Sequence, residues 1–143
     1  MSRENIEASR RVIEEGFSGG NLDVVDEVCS DDFTSHDPIA GEQDAEGVKQ
    51  SMSGYREAFP DLEVTIEDIF AAGDKVVIRW TAIGTFENEF MGQQPTGERG
   101  NPVEGIAIDR FEDGKIAETW AQWDTLGFLR NIGAVPDQAA TAG

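Results

Sequence analysis

Cysteine, histidine and lysine are scarce in this sequence, which has one cysteine, one histidine and three lysines among its 143 residues. A single thiol cannot form an internal disulfide, and one thiol with one imidazole cannot build a zinc-type cluster. A glycine-rich phosphate loop, a dinucleotide fingerprint and a nucleophile elbow are also missing. The sequence therefore predicts chemistry that uses neither a metal nor an organic cofactor.

Long apolar runs are absent as well. The N-terminal segment MSRENIEASRR is polar and lacks the apolar centre of a signal peptide. No stretch approaches the length needed to cross a bilayer. We therefore expect a single cytoplasmic domain over residues 1–134 that does not bind membranes, followed by a flexible tail over residues 135–143.

Basic residues are few relative to acids: 11 lysines and arginines stand against 29 aspartates and glutamates, a net charge of −18. Such a field repels nucleic acids and anionic membranes. The acids are dispersed along the chain, which is typical of a folded domain with an acidic surface. Either this is an ordinary acidic protein, or it is adapted to the high-salt cytoplasm of a halophile, where the Debye length falls to about 3 Å. We favour the second interpretation.

Apolar spacing divides the chain into a helical first half and a strand-rich second half. Helical patterns cover 6–17, 22–29 and 48–59, and residues 33–41 are predicted as a loop. Alternating patterns then predict strands from 62 to the turn at 72–74, and over 75–86, 102–111 and 115–124, with a tight turn at Asp113-Gly114. Helices segregated from mostly antiparallel strands indicate an α+β domain, in which a curved antiparallel sheet and three N-terminal helices enclose a pocket.

Asp124 is the leading candidate for acid/base chemistry because it closes the last predicted strand. Strict alternation groups it with Ile116 and Trp120, the larger apolar members of that strand, so we expect this face to point inward. A carboxyl group held against apolar walls resists ionisation, which suits a general acid or base. The alternative is that Asp124 caps the short helix predicted at 125–132, a position where Asp is favoured.

Two other polar side chains are candidates for a catalytic role. Arg79 lies inside an apolar strand, where it either polarises a substrate oxygen or forms an ion pair across the sheet, and Trp80 faces the opposite way. His36 lies in the predicted loop, where it either acts at the pocket mouth or is simply exposed. Six aromatic residues either line a ring-accepting pocket for an apolar ligand or belong to the core: Tyr55, Phe59, Trp80, Phe90, Trp120 and Trp123.

As a set, these patterns resemble the SnoaL-like polyketide and ester cyclases of the nuclear-transport-factor-2-like superfamily. The matching segments are HDP (36–38), REAFPDLEVTIEDIFAAGDKVVIRWTAIGTF (56–86), PTG (95–97) and GIAIDRFEDGKIAETWAQWDTLGFLRNIG (105–133). The resemblance implies a cone-shaped α+β barrel around a deep pocket. It also implies homodimers or larger homo-oligomers that pair through the sheet.

The resemblance further implies an aspartate at the end of the last strand that acts as acid/base in an intramolecular aldol ring closure, without metal or cofactor. Asp124 matches it through W-x-x-x-D. The family often has a histidine after the Gly-Thr strand end and another on the strand before the last hairpin, where this chain has Phe86 and Ile108-Asp109-Arg110. We expect cofactor-free acid/base chemistry on a small apolar carbonyl or ester compound, or, alternatively, a non-catalytic small-molecule-binding protein of the same fold.

Overall fold

The computed structural model describes residues 2–136, which form four α-helices and one six-stranded sheet. The helices are α1 (Ser2–Arg11), which continues into a π-helical turn (Val12–Phe17), α2 (Asp23–Val28), α3 (Ala45–Ala58) and α4 (Thr125–Asn131). The strands are β1 (Cys29–Asp37), β2 (Gly41–Gln43), β3 (Glu63–Ala72), β4 (Lys75–Ile83), β5 (Val103–Glu112) and β6 (Lys115–Trp123). Most of the predicted tail, from residue 137 onward, lies outside the described residues.

The sheet is curved and has the strand order β2-β1-β6-β5-β4-β3. Its inner face packs against the helices, and its outer face carries charged side chains such as Arg79, Arg110 and Glu118 together with exposed apolar ones such as Phe70 and Ile106. This architecture confirms the α+β fold class, with one correction: the sheet is mixed, because β1 runs parallel to β6 while the other neighbouring strands are antiparallel. A parallel pair needs a long connection rather than a hairpin, and here most of the chain separates β1 from β6.

Local sequence explains the elements that were predicted correctly. Asp44 caps α3 by accepting a hydrogen bond from the Gly47 amide (2.9 Å), and Val48 and Met52 form the buried stripe of that helix. Asp113 and Gly114 both have positive φ (51° and 79°), the combination that closes a two-residue hairpin with the right twist. The β5–β6 hairpin is therefore confirmed.

The loop predicted for residues 33–41 is wrong over most of its length. Residues Cys29–Asp37 form β1 and residues Gly41–Gln43 form β2, so His36 lies on a strand, paired with Glu42 of β2 on one side and Trp120 of β6 on the other. The strand escaped notice because its outward positions are polar and only Phe33 marks the apolar alternation. Cys29 is buried as predicted, but it begins β1 rather than ending the second helix.

A bulge in β6 breaks the alternation on which the inward face was predicted. Arg110 of β5 pairs with Glu118, but the next residue, Phe111, pairs with Ile116, so Ala117 is an extra residue. An extra residue shifts every later side chain to the opposite face. Ile116 therefore points inward, while the inward residues beyond the bulge are Thr119, Ala121 and Trp123.

The buried side chains form two clusters at the two ends of the inner face. The larger one joins α2 and α3 to β1, β4 and β6 and includes Val25, Met52 and Ile78. The smaller one surrounds α4 and includes Phe59, Phe86 and Phe128. In residues 2–136 no helix combines the length and apolar character that crossing a bilayer requires.

Candidate functional site

A cavity of about 200 Å³ lies between the helices and the inner face of the sheet. Its wall takes side chains from both buried clusters, so the two clusters are its opposite ends. Most of the wall is apolar. A mainly apolar cavity with a few convergent polar groups is the usual form of a small-molecule site.

Strand pairing arranges the sheet side of the cavity in three successive rows. The first, which we call the polar row, crosses four neighbouring strands and consists of paired residues: Asp109, Thr119, Ser35 and Gln43. The second is the alanine pair, Ala107 and Ala121. The third is the tryptophan wall, in which Trp80 and Trp123 pair with Gly105 from either side. All of these residues except Gly105, which has no side chain, line the cavity.

Asp109 is the most unusual polar residue of the cavity because its side chain is only 4% exposed and has no cationic partner within residues 2–136. The Ser9 hydroxyl donates to its Oδ2 and the Thr119 hydroxyl to its Oδ1, each at 2.7 Å. Burial raises the pKa of the Asp109 carboxyl above its usual value, and the two hydrogen bonds, which act in the opposite direction, do not offset it. A carboxyl group in this state is suited to exchanging protons with a bound compound.

The sequence reading missed Asp109, although a signal was present. Positions 103, 105, 107, 109 and 111 of β5 all point inward, and Asp109 is the one charged residue among Val103, Gly105, Ala107 and Phe111. When an acidic residue occupies one of the inward-facing positions of an alternating strand, where the other residues are apolar, its carboxyl group is expected to be buried.

Asp124 does not face the cavity, which corrects the expectation that it looks into the pocket. It is exposed, and its Oδ1 accepts a hydrogen bond from the Gly127 amide (2.9 Å), so it is the N-cap of α4. The bulge at Ala117 explains the error, because alternation counted from Ile116 assigns the wrong face to every residue beyond it. The capping alternative describes the observed geometry.

Trp80 faces the cavity and Arg79 faces outward, so the structure resolves which of the two neighbours points inward. The Arg79 Nε donates to Asp68 Oδ2 (2.7 Å) on β3, and nearly half of its side chain is exposed. The Asp68 contact raises the pKa of the guanidinium further above its usual value. Arg79 therefore forms the cross-sheet ion pair, and it cannot reach a compound held on the inner face.

His36 also lies on the outer face, which corrects its expected place at the pocket mouth. Its Nε2 is 2.7 Å from Glu118 Oε2, and its ring stacks on Trp120 at 5.8 Å between centroids. The contact with His36, followed by that with Arg110, lowers the pKa of Glu118. Trp120 is 38% exposed and is thus not part of the cavity wall.

The remaining aromatic candidates divide between the wall and the layer behind it. Tyr55 and Phe59 of the α3 region line the cavity. Phe90 does not line it; its ring packs behind Tyr55 at 5.1 Å and against Phe128 at 5.7 Å. Burial raises the pKa of the Tyr55 phenol, and the nearby Asp37 charge adds to the shift, so this phenol keeps its proton.

Asp37 fixes the tryptophan wall. Its Oδ1 accepts from Trp123 Nε1 (3.0 Å), while its Oδ2 accepts from the amides of Ile39 and Ala40 (each 2.9 Å). These three hydrogen bonds satisfy the carboxylate and hold the β1–β2 turn. Asp37 therefore has a positioning role for the Trp123 ring.

Metal and thiol chemistry gain no support from the cavity wall. Within residues 2–136 no three His, Cys, Asp or Glu side chains come together as a metal site would require. The Cys29 thiol lines the cavity, and burial raises its pKa to about 12, so it stays protonated and inert as a nucleophile.

Comparisons with known proteins identify a family and several solved structures that share this fold. The family model of the SnoaL-like polyketide cyclases matches residues 7–132. Comparison with curated proteins finds no match. Among solved structures, AclR from Streptomyces galilaeus, provisionally named a hydroxylase, is 28% identical with a TM-score of 0.83; the match covers 95% of this chain and 100% of AclR.

Two other solved structures carry provisional polyketide cyclase names. IdmH from Streptomyces antibioticus is 30% identical with a TM-score of 0.79, over 90% of this chain and 98% of IdmH. A SnoaL-like protein from Jannaschia sp. CCS1 is 27% identical with a TM-score of 0.83, over 94% of this chain and 95% of that protein.

Proposed function

The chain belongs to the SnoaL-like polyketide cyclase family, and on that premise we propose that it is a cofactor-free acid/base catalyst acting on a small apolar carbonyl or ester compound inside the cavity. The observation that carries the proposal is Asp109, a buried carboxyl group on the cavity wall whose pKa is raised by burial. Asp109 takes the role that the sequence suggested for Asp124.

The proposed reaction is a proton transfer at the carbon next to a carbonyl group. The Asp109 carboxylate accepts that proton, and the electron pair of the broken C–H bond forms the enolate. The enolate carbon then attacks a second carbonyl carbon of the same molecule, which closes a ring, and Asp109 returns its proton to the new alkoxide oxygen. No electron or atom is gained from outside the compound, so the step needs no cofactor.

Neighbouring hydroxyl groups support this chemistry. Thr119 and Ser9 fix both oxygens of Asp109, so the carboxyl group is held in one orientation. The neutral phenol of Tyr55 lines the same cavity and can donate a hydrogen bond to an enolate oxygen. A preorganised donor in a cavity that excludes water stabilises developing negative charge more than the same group does in water.

A non-catalytic binding protein is the second candidate, and one observation favours it. Both Asp109 oxygens already accept hydrogen bonds from the protein, as they would in a purely structural link between α1 and the sheet. In that case Asp109 would anchor the helix and the cavity would only bind its ligand.

Hydrogen–deuterium exchange separates the two candidates. We expect the protein in D₂O to accelerate exchange of the methyl protons of acetophenone, monitored by NMR, and Asp109→Asn to reduce the acceleration by at least about 100-fold. The amide keeps the shape and hydrogen-bonding capacity of the carboxyl group but cannot transfer the proton. Asp124→Asn is the matched control, since Asn is an equally good N-cap and the exchange rate should not change. Binding of acetophenone without accelerated exchange would establish the binding protein instead.

We also propose that two copies pair through the outer face of the sheet. A row of paired residues crosses five strands there: Phe70, Val77, Ile108, Trp120 and His36. Phe70 is 53% exposed, and Ile106 beside the row is 49% exposed. The four apolar side chains of this row, Phe70, Val77, Ile108 and Trp120, are continuous across four strands and favour a self-complementary interface. Sedimentation of the wild type as a dimer and of Trp120→Glu as a monomer would support this; a monomeric wild type would refute it.

A further inference from the structure

The size and layout of the cavity identify the class of compound that it accepts. We propose that it selects neutral compounds of single-ring size with a carbonyl or hydroxyl group at one edge, and that Ala107 and Ala121 set this size limit. The inference rests on the proposed function because both place the ligand in the same cavity. It is about which compounds bind there, whereas the proposed function is about proton transfer.

The cavity volume limits the ligand to about one ring. An apolar protein cavity of about 150 Å³ is sufficient to bind benzene. The present cavity of about 200 Å³ therefore accommodates a single ring with a short substituent. A compound with four fused rings needs several times the volume of one ring and does not fit without rearrangement of the wall.

The alanine pair provides the space for the ring. Ala107 and Ala121 are directly paired on adjacent strands and both point inward. Paired side chains on neighbouring strands lie about 5 Å apart, so two methyl groups side by side leave a shallow hollow about as wide as a ring. Larger residues border the hollow on both sides, namely Asp109 and Thr119 on one side and the tryptophan wall on the other.

The tryptophan wall is rigid and apolar. Gly105 makes it possible, because a side chain there would collide with the Trp80 ring and would place its Cβ 2.8 Å from the Trp123 Cβ. The Asp37 hydrogen bond holds the Trp123 ring in place. An immobile aromatic surface suits a flat apolar ring, since little side-chain freedom is lost on binding.

The opposite border supplies the polar contact. Ser35 is buried and Tyr55 largely so, both line the cavity, and neither hydroxyl group has a hydrogen-bond partner among residues 2–136. A hydroxyl group that opens onto the cavity without a protein partner can donate a hydrogen bond to a carbonyl or hydroxyl oxygen of a ligand. The unpaired hydroxyl groups thus indicate where the polar edge of the compound lies.

The charges of the wall favour a neutral compound. Two of the wall residues are the acids Asp37 and Asp109. Arg99 is the one cation among the described wall residues, and it is half exposed and paired with Asp61 at 3.2 Å. A ligand carboxylate would therefore enter an apolar cavity without a free cation to pair with.

A matched series of probes tests the size limit. Acetophenone, 2-acetylnaphthalene and 1-acetylpyrene carry the same acetyl group on one, two and four rings, and benzoate is an anionic counterpart of acetophenone. Binding is followed through the ¹³C-methyl resonances of Ala107 and Ala121, which report on the cavity itself. We expect saturable shifts with acetophenone, at least about tenfold weaker binding of 1-acetylpyrene, and weaker binding of benzoate.

Variants at the alanine pair test the assigned residues. Ala121→Val adds two methyl groups and should weaken acetophenone binding at least about tenfold, and Ala107→Leu should abolish it. Gln122→Leu, on the outer face of the same strand, is the matched control and should bind as the wild type does. Circular dichroism confirms that each variant is folded, and Ala121→Val remains informative if Ala107→Leu does not fold.

Two results would overturn the inference: equal affinity of the cavity for 1-acetylpyrene and acetophenone, or unchanged acetophenone affinity in both folded alanine variants. Failure of the proposed catalysis looks different. In that case acetophenone would bind with the expected size selection, but its methyl protons would not exchange faster than in buffer. Conversely, exchange that depends on Asp109 but shows no size selection would retain the catalysis and reject the size limit.

Discussion

Charged residues on the two faces of β5 and β6 differ in their partners and in their exposure to water. On the outer face, Arg110 contacts both Glu112 (2.6 Å) and Glu118 (3.3 Å), and His36 contacts Glu118, so each acid has a cationic or hydrogen-bonded partner near water. On the inner face, Asp109 has only the hydroxyl groups of Ser9 and Thr119. The contacts with His36 and Arg110 lower the pKa of Glu118 on the outer face, whereas burial raises the pKa of Asp109 on the inner face. The protonation state of an acidic side chain therefore depends more on its partners and its contact with water than on whether it is Asp or Glu.

The largest expected effect comes from placing a second acid on the inner face. Ala121→Glu would bury a charge without a partner beside Asp109 and should destabilise the protein by about 3 kcal/mol. Gln122→Glu puts the same side chain on the outer face of the same strand and should change stability by less than about 0.5 kcal/mol. Urea unfolding of both variants measures the difference, and equal losses would show that the two faces do not differ in this respect.

The next largest effect is a gain in stability when the buried acid is neutralised. The folded-state pKa of Asp109 is raised, so the folded protein binds this proton more tightly than the unfolded chain, and wild-type stability falls as pH rises above about 3.9, the unfolded value. Asp109→Asn keeps the hydrogen bonds and removes the penalty. At pH 7 we expect the variant to be more stable by about 1–3 kcal/mol.

The same measurement repeated at low pH supplies the control for Asp109→Asn. Below about pH 3.9 the wild-type carboxyl group is protonated in both the folded and the unfolded chain, so the advantage of the variant should vanish. A constant advantage at all pH values would mean that the gain comes from packing rather than from charge.

Salt should act mainly on the surface of the protein. A net charge of −18 produces self-repulsion that molar KCl screens, so the melting temperature should rise between dilute buffer and molar KCl by roughly 3 °C or more. The stability difference between wild type and Asp109→Asn should not follow this trend, because a buried charge is screened far less. A melting temperature independent of salt would argue against adaptation to a high-salt cytoplasm.

The smallest effect is expected for an acid on the outer face. The contacts with His36 and Arg110 lower the folded-state pKa of Glu118, so its stabilising contribution is present above the unfolded value of about 4.3 and is lost as pH falls through the folded value. Glu118→Gln should therefore lower the melting temperature slightly at pH 7 and not at low pH. This pH dependence has the opposite sign to that of Asp109, and the same sign for both would contradict the contrast between the two faces.

The sequence was sufficient for much of the fold because local rules dominate there. The periodic spacing of Val48 and Met52 predicted α3, and the Asp113-Gly114 pair predicted the hairpin from backbone conformation alone. The strand β1 was missed since its stability depends on pairing with β6, about 85 residues away, and not on its own polar sequence. Long-range pairing of this kind leaves little trace in composition.

The candidate site was harder to predict, because it depends on one irregularity. The cavity residues Tyr55, Phe59 and Trp80 were identified as pocket candidates from aromatic character and strand position. The expected orientation of Asp124, Trp120 and His36 was wrong, since neither the bulge in β6 nor the strand character of residue 36 follows from residue types alone. Asp109 could be identified from the sequence, because it occupies an inward-facing position of β5 at which the other residues are apolar or glycine.

The extra residue Ala117 has a consequence for how this strand could diversify. Because Ala117 has no partner on β5, the residue that faces the cavity before the bulge has an even number, Ile116. The residues that face it after the bulge have odd numbers, namely Thr119, Ala121 and Trp123. Deleting Ala117 would leave Ile116 opposite Phe111 and Glu118 opposite Arg110, so Thr119, Ala121 and Trp123 would still face the cavity. One codon can therefore be lost at this position without changing the lining, and a change of specificity on this strand has to come from substitutions at the inward positions.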